Sequence, residues 1–269
     1  MIRPALDPFA IKNRMISPAD SVAILATVGI VSGEPSRVAT FQRSSGEVQL
    51  VVTPAVVVTD GLPSPDDPLV VQVSRWDPLK DMGGVMTAFV NDEGCAGAHL
   101  ILAGPDVSSV SDDPEGQVVL QNVTEQWRGL PAQQRARVSI VCLSMDDPEE
   151  NAIVVNSLQR HAQIIVQKSV KEGFGLTVTE AMYKGKPVVA SAVGGIVDQI
   201  RPGVDGYLVA PHDLVAAGRA IAELLADPAA GARMGEQGHA AAVTEFMPDT
   251  SLLAWAQVLD QVVSSNLRS

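Results

Sequence analysis

The sequence is short of several residue types, and each shortage excludes something. Cys95 and Cys142 are its two cysteines in 269 residues. That is too few for a disulfide framework and fits a reducing compartment, the cytoplasm. Aromatic residues make up 4%, which argues against a stacking platform for single strands or peptides. Positive charge is scarce: 19 Lys+Arg against 31 Asp+Glu give a formal charge of −12. Neither a nucleic-acid backbone nor an anionic membrane surface is then expected as the main partner. No apolar run approaches the roughly 20 residues that span a bilayer. The opening stretch MIRPALDPFAIKN has no apolar core of signal-peptide length. The four histidines, His99, His161, His212 and His239, are scattered with no pair at ligand spacing, so no metal site is expected. No Walker-type phosphate loop, Gly-x-Ser-x-Gly elbow or early Gly-x-Gly-x-x-Gly fingerprint occurs, which disfavours a dehydrogenase.

What the chain has is apolar content of 46%, enough for a large core. Residues 20–30 read as a short helix behind a Ser-Pro-Ala-Asp start signal. Residues 31–67 carry short β-branched runs broken by Gly, Pro and Ser, readable as a small hairpin or as a loose connector. From residue 68 the texture becomes regular. Apolar runs at 69–74, 98–104, 137–143, 163–169, 187–191 and 206–209 read as strands, and amphipathic stretches between and after them as helices. Continuous apolar runs suit strands buried on both faces. Their alternation with helices predicts an α/β fold with a doubly wound parallel sheet. Ligands of such sheets sit beyond the carboxyl ends of the strands, near the switch in strand order.

Three segments fall at such strand ends. QVSRWDPLKD (72–81) places Arg75 and Lys80 where cations can hold phosphate oxygens; a solvated pair on a loop is the plain alternative. KEGFGLTVTEAM (171–182) has Gly173 and Gly175, which allow close backbone approach, before a helix starting near Thr177. The free amides at that helix start favour an anion. Glu172 and Glu180 flank the turn and could accept hydrogen bonds from sugar hydroxyls; a capping acid and an ordinary helical Glu are the alternatives. SAVGGIVDQI (191–200) offers Gly194-Gly195, a second close-approach turn or merely a tight one. The acidic clusters Asp112-Asp113-Glu115 and Asp146-Asp147-Glu149-Glu150 read as charge complementation of helix starts rather than as a cation site. His99 is expected to be packed or at an edge, and His161 to sit partly charged at a helix end.

In order and placement, Arg75 and Lys80, then Glu172-Gly-Phe-Gly-Leu-Thr-Val-Thr-Glu180, then Val193-Gly194-Gly195, resemble the C-terminal half of retaining GT-B glycosyltransferases of the group 1 type. The Glu-x7-Glu pattern enclosing GFGL is specific to their nucleotide-sugar site. PALDPFAIKNRMIS, QVSRWDPLKDMGGVMTAF and the stretch from DDPEEN to SAVGGI look like the trehalose synthase and trehalose phosphorylase branch. The resemblance implies a Rossmann-like donor-binding domain at 68–248. It implies an inter-domain segment and connector at 1–67, a C-terminal helix at 249–269, and an N-terminal domain lying outside this sequence. It implies that Arg75 and Lys80 hold the donor diphosphate and that Glu172 contacts the donor glucose. Gly173, Phe174, Gly175, Leu176 and Thr177 would line sugar and phosphate, Glu180 would bind ribose, and residues near 143–146 would lie by the base. No cofactor or metal is implied. The partners are a nucleoside-diphosphate glucose (UDP-, ADP- or GDP-glucose) and glucose or trehalose. The chain would act in a homo-oligomer or with a separate chain carrying the N-terminal domain. A phosphorylase-type fragment and a non-catalytic nucleotide-binding remnant are the alternatives.

Overall fold

The computed structural model describes residues 3–107 and 113–266. Its centre is a seven-stranded sheet in the order β3-β6-β5-β4-β7-β8-β9. The strands are β3 (Val56–Val58), β4 (Leu69–Val73), β5 (His99–Pro105), β6 (Val138–Leu143), β7 (Ile164–Gln167), β8 (Val188–Ser191) and β9 (Tyr207–Val209). β4 through β9 are parallel, and β3 runs antiparallel to β6 at the edge. A separate hairpin joins β1 (Thr40–Gln42) and β2 (Val48–Leu50). An α/β sheet of the expected kind is therefore present.

The apolar runs explain the layering. Side chains alternate across a strand, so Leu69, Val71, Ile101, Ala103, Val141, Ile165, Val188 and Ala190 fill one core. Their neighbours Val70, Leu100, Leu102, Val138, Ile140, Ile164, Val166 and Val189 fill the other. α1 (Pro18–Thr27), α5 (Pro148–His161) and α6 (Leu176–Tyr183) cover the first face. α2 (Met82–Asn91), α3 (Pro114–Arg128) and α7 (Leu214–Ala226) cover the second. The short α4 (Ala132–Arg135) precedes β6, while α8 (Pro228–Glu245) and α9 (Pro248–Asn266) end the described chain. Three helix starts share one recipe: Asp113, Asp147 and Asp227 each cap a helix with proline in its first turn. The caps fulfil the charge-complementation expectation for Asp113 and Asp147; Asp112 lies outside the described residues.

The segment read as hairpin or connector contains both, and one strand more. The hairpin buries Ala39, Phe41 and Val51 and exposes Val38, Val48, Leu50 and Val52. It is fastened to the start of α5. Arg43 pairs with Asp147 and, at 2.9 Å, with Glu149. Buried Glu150 accepts from the amides of Val52 and Thr53, both at 2.7 Å. The acids of that cluster thus bind the hairpin as well as completing the helix start. β3, from the same segment, belongs to the main sheet, so the sheet reaches back before residue 68.

His99 is buried, with Nε2 2.8 Å from Ser139 Oγ, and burial pulls its pKa down to about 4. His161 departs from expectation. Burial, helped by the Lys186 charge, lowers its pKa, so the interior favours neutral imidazole over the charged form expected at that helix end.

Candidate functional site

The strand order reverses between β4 and β7: chain connections run outward from β4 through β5 and β6, then return to β7 on its other side. The carboxyl ends of these neighbours form the switch point, where doubly wound folds bind ligands. The first two candidate segments leave those ends.

After β4, Trp76 is buried and its Nε1 donates to Pro105 O at 2.8 Å, anchoring the loop to β5. Asp77 accepts from Leu79 N at 2.8 Å and caps the turn Pro78–Lys80. Asp81 takes a left-handed conformation, φ 47°, and caps α2 through Gly84 N. Gln72, fully buried, ties both sides together: its Nε2 donates to Lys80 O at 2.7 Å and its Oε1 accepts from Lys168 N at 2.9 Å. Lys168, also buried, bonds Asp81 and, at 2.8 Å, Pro211 O. Val170 N donates to Leu79 O at 2.8 Å. These contacts bring Lys80 Nζ to 2.5 Å from Glu172 Oε2, with both side chains mostly shielded. Arg75, on the same loop, is 74% exposed and meets Asp77 at 3.2 Å.

After β7, Glu172 Oε2 also accepts from Ser169 Oγ at 3.3 Å, and Oε1 accepts from Gly173 N at 3.1 Å. Gly175 has φ +88° and precedes α6 without a side chain to cap it. The amides of Leu176 and Thr177 therefore lack acceptors within the helix and face the loop. The third candidate segment locks onto the second. Gly195 N donates to Gly173 O at 2.8 Å. Gly194 has φ +50°, and a Cβ there would collide with the Glu172 carbonyl. Gln199 binds Phe174 O through Nε2 and accepts from Thr179 Oγ1 at 2.7 Å. The Phe174 ring packs edge-on against Phe246, centroids 5.9 Å apart.

The structure thus unites Lys80, Glu172, Gly173 and Gly175, and places Arg75 on the adjoining loop. Glu180 sits elsewhere on α6, buried, with its Oε1 bonded to Lys12 Nζ. Lys12 had no signal in the residue pattern, since it lies 168 positions (180 − 12) before its partner. Beside it Lys184 Nζ donates to Gln159 Oε1 at 2.7 Å and Asn13 Oδ1 at 3.2 Å. Burial lowers the Lys184 pKa to about 7, against the opposing pull of the Glu180 charge. Residues 143–146 span the end of β6 and the loop after it, two strands from β4. Ser144 O accepts from Asn151 Nδ2 at 2.9 Å. Leu143 and Ser144 line a cleft with Val28, Thr53, Glu150 and Asn151. Among the described residues, no group of three His, Cys, Asp or Glu could hold a metal ion, and no helix is long and apolar enough to cross a membrane.

The model of a family described as glycosyl transferases group 1 matches residues 60–241. The chain belongs to this family. It is 32% identical over 239 residues to a trehalose synthase of Rubrobacter xylanophilus, an alignment covering 88% of this chain and 46% of that enzyme. Among solved structures it is similar to sucrose-phosphate synthase from Thermosynechococcus elongatus, with TM-score 0.61 and 31% identity over 75% of this chain and 47% of that one. The Anabaena HepE structure in complex with UDP-glucose shares its fold, with TM-score 0.67 and 20% identity over 96% of this chain and 57% of that one. This group 1 glycosyl transferase chain spans about half the length of the curated relatives it matches.

Proposed function

We propose that this chain is the donor-binding part of a retaining hexosyltransferase that moves glucose from a nucleoside-diphosphate glucose to glucose, forming trehalose. The observation that carries the reading is the 2.5 Å contact of Lys80 with Glu172 at the switch point. It sets a fixed cation and a carboxylate side by side at the uncapped start of α6. The trehalose synthase relative and the UDP-glucose complex of HepE support the choice of substrates.

The chemistry suits these parts. Breaking the bond between the anomeric carbon and the diphosphate oxygen leaves negative charge on the diphosphate and positive charge on the sugar ring. Lys80 and Arg75, with the amides of Leu176 and Thr177, stabilise the leaving diphosphate; fixed donors aimed at developing charge need little reorganisation. Glu172 accepts a hydroxyl of the donor glucose and favours the ring charge. Gly173, Phe174 and Gly175 present backbone to sugar and phosphate. Glu180 receives the ribose, and residues 143–146 lie by the base. Glycosidases set two carboxylates across the bond; with Glu180 given to ribose, the acceptor hydroxyl attacks from the face the diphosphate leaves.

The acceptor falls to residues outside the half of the relatives' length that this chain matches. The exposed Val38, Val48, Leu50 and Val52 of the hairpin, and Leu252, Leu253 and Leu259 of α9, favour a covering partner, either a second copy or a separate chain carrying that other half. Light scattering after size exclusion reads the first, and co-purification the second.

Titration calorimetry with UDP, ADP and GDP tests the donor reading. Binding of one of them is expected. A folded protein that binds none at millimolar concentration overturns it.

A further inference from the structure

Glu180 is nearly enclosed, with its side chain 5% exposed, yet its only salt bridge among the described residues comes from outside the sheet and its covering helices. Lys12 supplies that bridge from the N-terminal arm, residues 3–16, and its own side chain is 45% exposed. The arm is fixed on both sides of Lys12. Before it, buried Leu6 donates through its amide to Phe246 O at 2.8 Å, and Ile11 O accepts from Asn156 Nδ2 at 2.9 Å. After it, Asn13 O accepts from Arg160 at 2.8 Å, and Arg14 O accepts from Asn156 Nδ2 at 2.8 Å. A half-exposed ammonium on an anchored backbone therefore holds Oε1 of a buried carboxylate. Oε2 has no hydrogen bond among the described residues.

We propose that Lys12 is a positioning residue for the donor site. It holds one oxygen of Glu180 so that the other stands ready for a ribose hydroxyl. The inference rests on the donor reading given above, and adds that the N-terminal arm helps to build the nucleotide site. Two physical reasons support it. A free Glu side chain must lose rotamer freedom on binding, and a pre-formed salt bridge removes that cost. A nearly enclosed carboxylate is also costly to leave without a partner, and Lys12 supplies one. Lys184 does not replace Lys12 in this role, because its ammonium is engaged by Asn13 and Gln159.

The test is calorimetry on the full chain with whichever of UDP, ADP and GDP it binds, beside the 2′,3′-dideoxy form of the same nucleotide. Lys12→Met should weaken the ribonucleotide roughly tenfold, the scale of one hydrogen bond to a charged group. It should leave the dideoxy affinity unchanged. Lys12→Arg should restore most of the loss, and Glu180→Gln should match Lys12→Met. Thermal melts within a few degrees of the parent establish that the variants are folded. Equal ribonucleotide affinity in Lys12→Met overturns the proposal. Tighter binding overturns it too, since Lys12 would then compete with the ribose. If the parent chain binds no nucleotide, the donor reading itself fails and this inference with it.

Discussion

Lys80 Nζ stands 2.5 Å from Glu172 Oε2, so a residue after β4 and a residue after β7 meet over the point where the sheet reverses its order. Neither side chain is fully buried, 17% and 15% exposed. The pair is thus reachable by a ligand, yet removing one member leaves a mostly shielded charge unpaired, at a cost of about 1–3 kcal/mol. Lys80→Ala should weaken nucleoside-diphosphate binding about tenfold to a hundredfold while lowering the urea midpoint only modestly. A double-mutant cycle with Glu172→Gln checks the pairing. Additive losses would mean that the two groups act separately on the ligand.

Gly194 must remain glycine. Its φ of +50° is open to glycine, and an added Cβ would enter the Glu172 carbonyl. Gly194→Ala should cost about 1–3 kcal/mol, as overpacking does, and should abolish nucleotide binding by displacing the Glu172 loop. Gly29→Ala is the control: it has φ +78° but open space around it. Equal binding losses in the two variants would remove the steric argument.

The buried imidazole of His99 makes stability depend on pH. Its pKa in the folded chain is about 4 against an ordinary 6.5, so between those values the unfolded chain takes up the proton and the native chain does not. Stability is therefore full above pH 6.5 and is lost as pH falls towards 4, by up to about 3 kcal/mol. His161, lowered in the same direction, adds to it. Urea midpoints at pH 7 and pH 5 read the effect. His99→Gln should shrink the difference to the part left to His161, and an undiminished one would place its origin elsewhere.

Asn156 fastens the N-terminal arm, with its Nδ2 donating to the carbonyls of Ile11 and Arg14 at 2.9 and 2.8 Å. Asn156→Ala leaves a buried carbonyl without that donor, at a cost of about 1–3 kcal/mol. Limited proteolysis should then cut residues 3–16 faster than in the parent chain. Unchanged cleavage would show that Arg160, Leu6 and Ile11 hold the arm without it.

Much of the fold could be read from the residues because it depends on neighbours in sequence. The runs around Val71, Ile101 and Ile140 announced buried strands, and the acidic clusters at Asp113 and Asp147 announced helix starts. Gly173, Gly175, Gly194 and Gly195 marked close backbone approach, and the structure interlocks them. Pairings across long stretches of chain carried no local signal. Lys12 with Glu180, Lys168 with Asp81, and Gln72 with the Lys80 loop arise only when separate strands and the arm come together. β3 escaped notice for the same reason: its three residues resemble connector until Cys142, Val141 and Ile140 stand beside them.

That small strand bears on where the chain can be cut. Val56–Val58 closes the flank of β6, whose backbone would otherwise offer a bare ladder of amides and carbonyls to any passing chain. A protein trimmed to begin at residue 68, where the sequence texture turns regular, would lose this edge strand together with α1 and the Lys12 arm, and its bared β6 would invite edge-to-edge aggregation. The segment that looks most dispensable shields the sheet from its own copies.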